Sequence, residues 1–188
     1  ALTPLVDLGQ NNDTAINLIA GTYNIKVEDI KGCSDSVSIA VLEPNALIIG
    51  DSGKIDVTCF GLSNGTAWVV ESSITGGNGG YTYLWDDPLA QTTDTAKGLD
   101  LGEYKIIVSD SKNCKDSVVL NIIEPNLLVI GDSGKTDVTC FGLSNGTAWV
   151  VESSITGGNG GYTYLWDDPL TQTTDTAKGL DLGQYNVI

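Results

Sequence analysis

Histidine, arginine and methionine are absent from this 188-residue sequence, and nine lysines are its only basic residues. Because 24 residues are acidic, the formal net charge is −15. Binding to a phosphate backbone needs clustered Lys or Arg, so we expect no nucleic-acid partner. An anionic membrane surface would repel the chain for the same reason. The sequence also lacks an apolar run of about 18 residues, so we expect no membrane insertion.

The missing residue types also argue against catalysis. Without His or Arg, no isolated pair of nucleophile and base can be assembled from the sequence. The paired carboxylates Asp86-Asp87 are adjacent in a predicted loop, so they do not face each other across a cleft. The Gly-rich segment 75–80 is followed by no helix and no Lys-Ser/Thr, which favours a flexible loop over a phosphate site. We predict no enzyme and no catalytic residues.

What the sequence does contain is a repeat of 81 residues. We call a position that recurs at this interval a phase. Cysteine occupies two phases, tryptophan two and tyrosine one: Cys33/Cys114, Cys59/Cys140, Trp68/Trp149, Trp85/Trp166 and Tyr23/Tyr104/Tyr185. Segments 50–107 and 131–188 differ at only five of 58 positions: Ile55/Thr136, Ala90/Thr171, Glu103/Gln184, Lys105/Asn186 and Ile106/Val187. A catalytic site is rarely copied in tandem with such fidelity, whereas a length of rod often is. The repeat therefore indicates a modular rod.

The repeat divides the chain into three parts. Residues 1–44 correspond to the C-terminal half of a first repeat, residues 45–125 to a complete repeat, and residues 126–188 to the N-terminal part of a third. Turn residues punctuate the repeat every 8–12 residues or so, with β-branched and aromatic residues between them, which is typical of an all-β sandwich. We predict tandem immunoglobulin-like β-sandwiches that form an extended rod.

The alternation of residues within each predicted strand indicates the core. Tyr81, Tyr83 and Trp85 share one strand face, and the motif from Leu99 to Tyr104 resembles the tyrosine corner of immunoglobulin-like domains. The predicted core of the complete repeat consists of Trp85, Tyr104, Ile106, Val108, Val118 and Leu120. Glu124-Pro125-Asn126 is the predicted linker to the next repeat.

The four cysteines lack the C-x-x-C spacing and His partners of a zinc site, so we predict no metal site there. Structural disulfides fit better and indicate an extracellular location. The simplest scheme pairs Cys59 with Cys114 inside one repeat, and leaves Cys33 and Cys140 to pair outside this sequence. The rival scheme pairs Cys114 with Cys140 and Cys33 with Cys59 across the linkers. Free thiols are the third alternative.

Two ligand hypotheses stay open at this stage. One is calcium, because five aspartates in predicted loops have the oxygens that this ion prefers: Asp51, Asp86, Asp87, Asp94 and Asp110. Their spacing matches no calcium motif, so a solvated acidic surface is favoured and no cofactor is predicted.

The other hypothesis is glycan binding, in which Trp68 and Trp149 serve as stacking platforms. Because Val70 shares the strand phase of Trp68 and would make that face the core, buried or partly buried packing of Trp68 is the favoured alternative.

An ordered set of motifs adds a family resemblance. The set comprises Cys59-Phe60-Gly61, Tyr81-Thr82-Tyr83-Leu84-Trp85, Gly102-Glu103-Tyr104, Asn113-Cys114 and Glu124-Pro125. Together these motifs resemble the SprB repeat of gliding-motility adhesins and other surface proteins of Bacteroidetes. Two positions depart from the pattern: Asn113 replaces the usual Gly, and Pro4 stands at the phase of Trp85.

The resemblance implies an immunoglobulin-like fold, type IX secretion and a place in a long cell-surface fibre or filament. It further implies adhesion to surface polysaccharides or a substratum, gliding motility, neighbouring repeats as partners, and no catalytic residues. Bacteroidetes attach O-glycans at Asp followed by Ser or Thr and a small or aliphatic residue. The resemblance thus suggests a glycoprotein, with candidate sites Thr14, Ser36, Thr95, Ser117 and Thr176. Turn chemistry is the alternative explanation for these Asp-Ser and Asp-Thr pairs.

Overall fold

The computed structural model describes residues 13–188, so Pro4 and the first part of the predicted segment 1–44 lie outside the described residues. The described part contains strands, loops and almost no helix, which confirms the predicted all-β class. Its strands are β1 (Gly21–Glu28), β2 (Ser34–Val41), β3 (Ser52–Ile55), β4 (Gly65–Val69), β5 (Thr82–Trp85), β6 (Thr95–Leu99), β7 (Gly102–Ser109), β8 (Lys115–Ile122), β9 (Ser133–Thr136), β10 (Gly146–Val150) and β11 (Thr176–Leu180). Two 3-10 turns, Glu71–Ser73 and Glu152–Ser154, are the helical segments of this part.

The complete repeat contains two antiparallel sheets of three strands. One sheet has the order β3-β4-β6 and the other has the order β5-β7-β8. In the first sheet Trp68 on β4 lies opposite Gly53 on β3 and Thr95 on β6. In the second, Ile106 on β7 lies opposite Trp85 on β5 and Val118 on β8.

Both sheets contribute to one hydrophobic core. Trp85 is 1% exposed, and its indole N–H donates to the Thr93 carbonyl at 2.9 Å, which satisfies the one polar atom of a buried ring. Other buried members are Ala67, Val69, Ala96, Leu99, Tyr104, Ile106, Val108 and Ile122, and Val118 and Leu120 pack against them. The six core residues predicted from strand alternation are therefore confirmed.

The same structural elements recur along the chain. Strands β9, β10 and β11 begin 81 residues after β3, β4 and β6 and form a sheet of the same order, β11-β10-β9. Val150, Trp166, Ala177 and Leu180 form the buried cluster of this third segment. The hairpin β1–β2 pairs Tyr23 with Ile39. Its counterpart β7–β8 pairs Tyr104 with Leu120 in the same register.

The back-bonded tyrosine is present at two members of the Tyr series. The Tyr23 hydroxyl donates to the Ile19 carbonyl at 2.8 Å, and the Tyr185 hydroxyl donates to the Asp181 carbonyl at 3.4 Å. Both bonds span four residues, and at Tyr23 the bond ties the start of β1 to the turn before it. Tyr104, the tyrosine of the predicted corner, is buried in the core and makes no such bond within the described residues.

No helix in the described part of the chain has the length and apolar character needed to cross a membrane.

Candidate functional site

The polar contacts most relevant to a rod lie where one repeat joins the next. The end of β8 is attached to the loop that follows β3: the Val57 N–H donates to the Ile123 carbonyl at 3.0 Å, and the Ile123 N–H donates to Asp56 Oδ1 at 2.9 Å. One residue further, Glu124 Oε2 accepts the Gly61 N–H at 2.8 Å. The linker therefore leaves the complete repeat in a direction fixed by three hydrogen bonds.

The following repeat holds the other end of the linker through its Gly-rich loop. We call the loops 75–80 and 156–161 the glycine clamps. The Gly158 N–H donates to the Asn126 carbonyl at 2.8 Å, and the Gly77 N–H makes the same bond to Asn45 at the preceding linker. The Gly-rich segment was predicted to be a flexible loop, but each clamp is hydrogen-bonded to the linker residue that precedes its repeat.

Glycine is required in the clamp because the backbones approach closely. A Cβ on Gly76 would collide with the Ala46 carbonyl oxygen, and one on Gly157 would collide with that of Leu127. Both residues also have positive φ, 71° and 74° respectively. Sequence reasoning missed this role because segments 50–107 and 131–188 are nearly identical throughout, so no single loop stood out.

A direct hydrogen bond also joins the two repeats. The side-chain amide of Asn159, in the second clamp, donates to the Thr58 carbonyl of the complete repeat at 2.8 Å. The equivalent residue of the first clamp, Asn78, donates instead to Asp110 Oδ2 at 2.8 Å and lies 3.9 Å from the Cys114 sulfur. The clamp asparagine therefore contacts its own repeat at the first clamp and the repeat before it at the second.

Asp110 organises the end of the repeat that carries the clamp. Its buried carboxylate accepts the N–H groups of Asn78, Lys112 and Cys114 as well as the Asn78 amide. Burial by itself would raise the pKa of Asp110, but these hydrogen bonds outweigh it and hold the pKa well below its usual range. The carboxylate is thus an ionised acceptor for a turn.

The other calcium candidates are also occupied by protein donors. Asp87 is buried and accepts the N–H groups of Leu89 and Gln91, while Asp86 accepts the Lys105 N–H at 2.7 Å. Asp51 and Asp94 accept hydrogen bonds from the residues that follow them, Ser52 and Thr95. Within residues 13–188 no group of three or more acidic or Cys residues has the arrangement of a metal site. The structure therefore gathers no three of these five carboxylates into one cluster.

The four cysteines are present as free, exposed thiols. Cys59 lies two residues after Val57, which is bonded to Ile123 at the end of β8, whereas Cys114 immediately precedes the start of β8. Eight residues of strand span about 26 Å, far beyond the separation of about 7 Å that a disulfide tolerates. The predicted Cys59–Cys114 pair is not formed in this arrangement because the length of β8 separates the two thiols. Cys33 and Cys140 are likewise unpaired.

Trp68 lies on the outer face of its sheet. Its neighbours Ala67 and Val69 are buried in the core, so strand alternation directs Trp68 away from it. The indole lies across Gly53 on β3, where any Cβ would collide with the ring, and the residue stays partly exposed. Trp149 has the same relation to Gly134. The partial burial expected for Trp68 is thus present, but the face assigned to the core was the wrong one.

The candidate O-glycosylation residues lie at or near the surface. Thr14, Ser36 and Ser117 are exposed, while Thr95 and Thr176 are partly buried. In four of the five pairs the Asp carboxylate accepts a hydrogen bond from its neighbour: from the hydroxyls of Thr14 and Thr95, and from the N–H groups of Ser36 and Ser117. These bonds are the local ones that the alternative explanation expects, although Ser36 and Ser117 lie in strands β2 and β8 and not in turns. Both serine residues remain exposed.

Comparison with known families agrees with the motifs. The SprB repeat model matches residues 54–90 and 134–171, two segments that each run from the first strand of a repeat past its Tyr-x-Tyr-x-Trp motif. No curated protein matches the chain. The SprB repeat is a structural repeat of surface adhesins and is not known as an enzyme family. The resemblance seen in the sequence is therefore confirmed as a match to the SprB repeat model at two places.

Proposed function

We propose that this chain is a stalk segment of a secreted cell-surface adhesin or fibre that mediates attachment and gliding motility. The observation that carries the proposal is the joint: the linker is hydrogen-bonded to the repeat on each side, and Asn159 bonds directly to Thr58. Such a joint limits bending, so each added repeat adds length. The two SprB matches, at residues 54–90 and 134–171, support a tandem arrangement.

An immunoglobulin-like sandwich is the fold that this proposal assigns to each repeat. The strand orders β3-β4-β6 and β5-β7-β8 support it, because they correspond to the A-B-E and C-F-G sheets of that architecture. The core Trp85 on the third strand and the back-bonded tyrosines support it further. Chain entry and exit then lie at opposite ends of the repeat, as a rod requires.

Small-angle scattering tests the stalk. We expect the maximum dimension to grow nearly in proportion to length when this chain is compared with an array of twice as many 81-residue units. As a matched control, Asn159→Ala removes one bond of the joint while leaving both cores intact, so it should broaden the distance distribution without unfolding the repeats. A compact particle whose maximum dimension barely grows in the longer array would overturn the proposal.

Location and modification follow from the same assignment. We place the stalk outside the cell, exported by type IX secretion, with neighbouring repeats, surface polysaccharides or a substratum as partners. The high negative charge favours a solvated rod, since like charges on neighbouring rods repel. Neither a catalytic step nor a cofactor is needed for this role.

A glycan-binding module is the second candidate, and one observation favours it. Trp68 and Trp149 lie on the outer faces of equivalent sheets and are partly exposed, so two aromatic rings recur at a fixed interval along the chain. Titration of the chain with a panel of surface polysaccharides tests this role. Binding that is lost in Trp68→Ala and Trp149→Ala but kept in Leu84→Ala would establish it, and no binding to any glycan would leave the stalk alone.

A further inference from the structure

We propose that consecutive repeats are cross-linked across the joint, by a disulfide between the Cys59 phase of one repeat and the Cys114 phase of the next. This inference rests on the proposed stalk, because it needs a following repeat that is complete. It differs from both pairings suggested by the sequence, which join Cys59 to Cys114 within a repeat or to the cysteine across the nearest linker.

The clamp asparagine marks where the Cys114 phase lies. In the complete repeat Asp110 accepts the Cys114 N–H at 2.9 Å through Oδ1 and the Asn78 amide at 2.8 Å through Oδ2. One buried carboxylate therefore holds both residues, and the Asn78 amide nitrogen lies 3.9 Å from the Cys114 sulfur. In the complete repeat the Cys114 thiol is therefore an immediate neighbour of the clamp asparagine, and we expect the same neighbour in every complete repeat.

The same asparagine in the next repeat lies beside Cys59. Asn159 is the equivalent of Asn78 and donates to the carbonyl of Thr58, the residue directly before Cys59, at 2.8 Å. A repeat that continues through its own Cys114 phase thus brings that thiol to the loop that carries Cys59. The two ends of a repeat, about 26 Å apart along β8, meet only between neighbours.

Both thiols are chemically accessible. Cys59 and Cys114 are exposed, and neither is bonded to another cysteine within residues 13–188. Forming the bond removes one proton and one electron from each thiol, and the electrons pass to a disulfide oxidant, either a thiol oxidoreductase or oxidised glutathione, which is reduced to two thiols. Partial desolvation and then the Asp110 carboxylate raise the pKa of the Cys114 thiol, which lowers the fraction of it that is present as thiolate.

The consequence for a stalk is mechanical. Every repeat contributes one thiol of each phase, so each repeat would be linked covalently to the repeat before it and to the repeat after it. Tension along the rod would then act on a covalent bond at each joint, and not only on the hydrogen bonds of the linker and clamp. Each joint would also keep its geometry when neighbouring cores open transiently.

Thiol trapping in this chain tests the geometry. The Asn159→Cys variant, oxidised with oxidised glutathione, should form a disulfide between the new thiol and Cys59, detected by non-reducing peptide mapping. Asn78→Cys is the matched control, and its new thiol should couple to Cys114 and not to Cys59. Adding Cys59→Ser to Asn159→Cys should abolish the cross-link. Failure of Asn159→Cys to reach Cys59 while Asn78→Cys reaches Cys114 would overturn the proposal.

A longer array tests the native bond. The chain extended after Ile188 by the segment 108–125, which completes its third repeat, should yield on oxidation a cross-linked peptide that joins Cys59 to the Cys114-phase cysteine of that repeat. A peptide that joins the two phases within one repeat, or free thiols after complete oxidation, would overturn the inference. Scattering on the reduced array separates this result from the stalk itself: a rod that keeps its length but lacks the cross-link contradicts the disulfide alone.

Discussion

Gly76 lies with its Cα directly against the carbonyl oxygen of Ala46, in a backbone conformation with φ of 71°. A methyl group at this position meets both a backbone atom that cannot move away and a strained φ. We expect Gly76→Ala to lower the free energy of unfolding of the complete repeat by about 3 kcal/mol or more. Denaturant unfolding followed by tryptophan fluorescence measures the loss.

Gly79 provides the matched control for this substitution. It has a similar φ of 68° in the same clamp, but no atom lies within 4 Å of a Cβ built there. Gly79→Ala should therefore cost only the strain of positive φ, about 1 kcal/mol. Equal losses in the two variants would show that the Ala46 contact contributes nothing.

Trp85 is the largest fully buried side chain of the complete repeat. Its replacement by Ala removes the ring, opens a cavity and leaves the Thr93 carbonyl without its donor, so we expect a cost of about 3–5 kcal/mol. Leu84→Ala is the control, because Leu84 is 48% exposed on the opposite strand face and should cost less than about 1 kcal/mol. Losses of similar size in both variants would contradict the assigned strand phase.

Strand phase was the part of this fold that the sequence predicted best. Tyr104, Ile106 and Val108 are buried and alternate along β7 with residues that are exposed or only partly buried. Because side chains alternate with a period of two, a strand has only two possible inward faces. In the segment Trp68-Val69-Val70 both faces are apolar, so periodicity could not decide. In the structure the inward face carries Ala67 and Val69, which are both buried in the core.

The joint could not be predicted because it depends on contacts far apart in sequence. The bond from Asn159 to Thr58 spans 101 residues, and that from Gly61 to Glu124 spans 63. No local sequence pattern marks either bond, because the two residues that form it are far apart in the chain. The cysteine phases were visible, but their pairing needs the direction of β8, which composition does not supply.

Tyr83 has a buried hydroxyl without a hydrogen-bond partner, and Tyr164 repeats this feature. Burial raises the pKa of Tyr83 to about 12, and the Glu71 carboxylate adds to the shift, although it does not reach hydrogen-bond geometry with the hydroxyl. Removal of an unsatisfied buried hydroxyl relieves its desolvation cost, so Tyr83→Phe should stabilise the repeat by about 1 kcal/mol. Thermal unfolding measures the gain, and Tyr81→Phe, which loses the bond to the Gly76 carbonyl, should be destabilising.

Native modification at the Asp-Ser and Asp-Thr pairs is a separate prediction. We expect sugars at the exposed hydroxyls of Ser36 and Ser117, whose Asp neighbours bond only to backbone N–H groups. Thr95 is partly buried and its hydroxyl donates to Asp94, so it should carry less. Intact mass and peptide mapping of protein from its native source test this order. A mass equal to that of the bare sequence would remove the glycoprotein hypothesis and leave these residues as turn caps.

The lowered pKa of Asp110 predicts how the stability of the complete repeat changes at acidic pH. Its pKa is lowered in the folded state, so its contribution to stability is fully present above the ordinary Asp pKa of about 4 and is lost as the pH falls towards the folded value. Asp110→Asn should therefore destabilise the repeat at pH 7, and the difference from the native protein should shrink below about pH 4.

Denaturant midpoints measured between pH 7 and pH 3 test this response. Asp100→Asn, at an exposed turn with no side-chain hydrogen bond among the described residues, is the control and should show no such convergence. Because Asp110 positions both Asn78 and Cys114, its replacement should also reduce coupling between Cys114 and a thiol introduced by Asn78→Cys. A pH-independent difference in stability would mean that the carboxylate is not held as an anion, and the clamp would then owe its order to the glycine contacts alone.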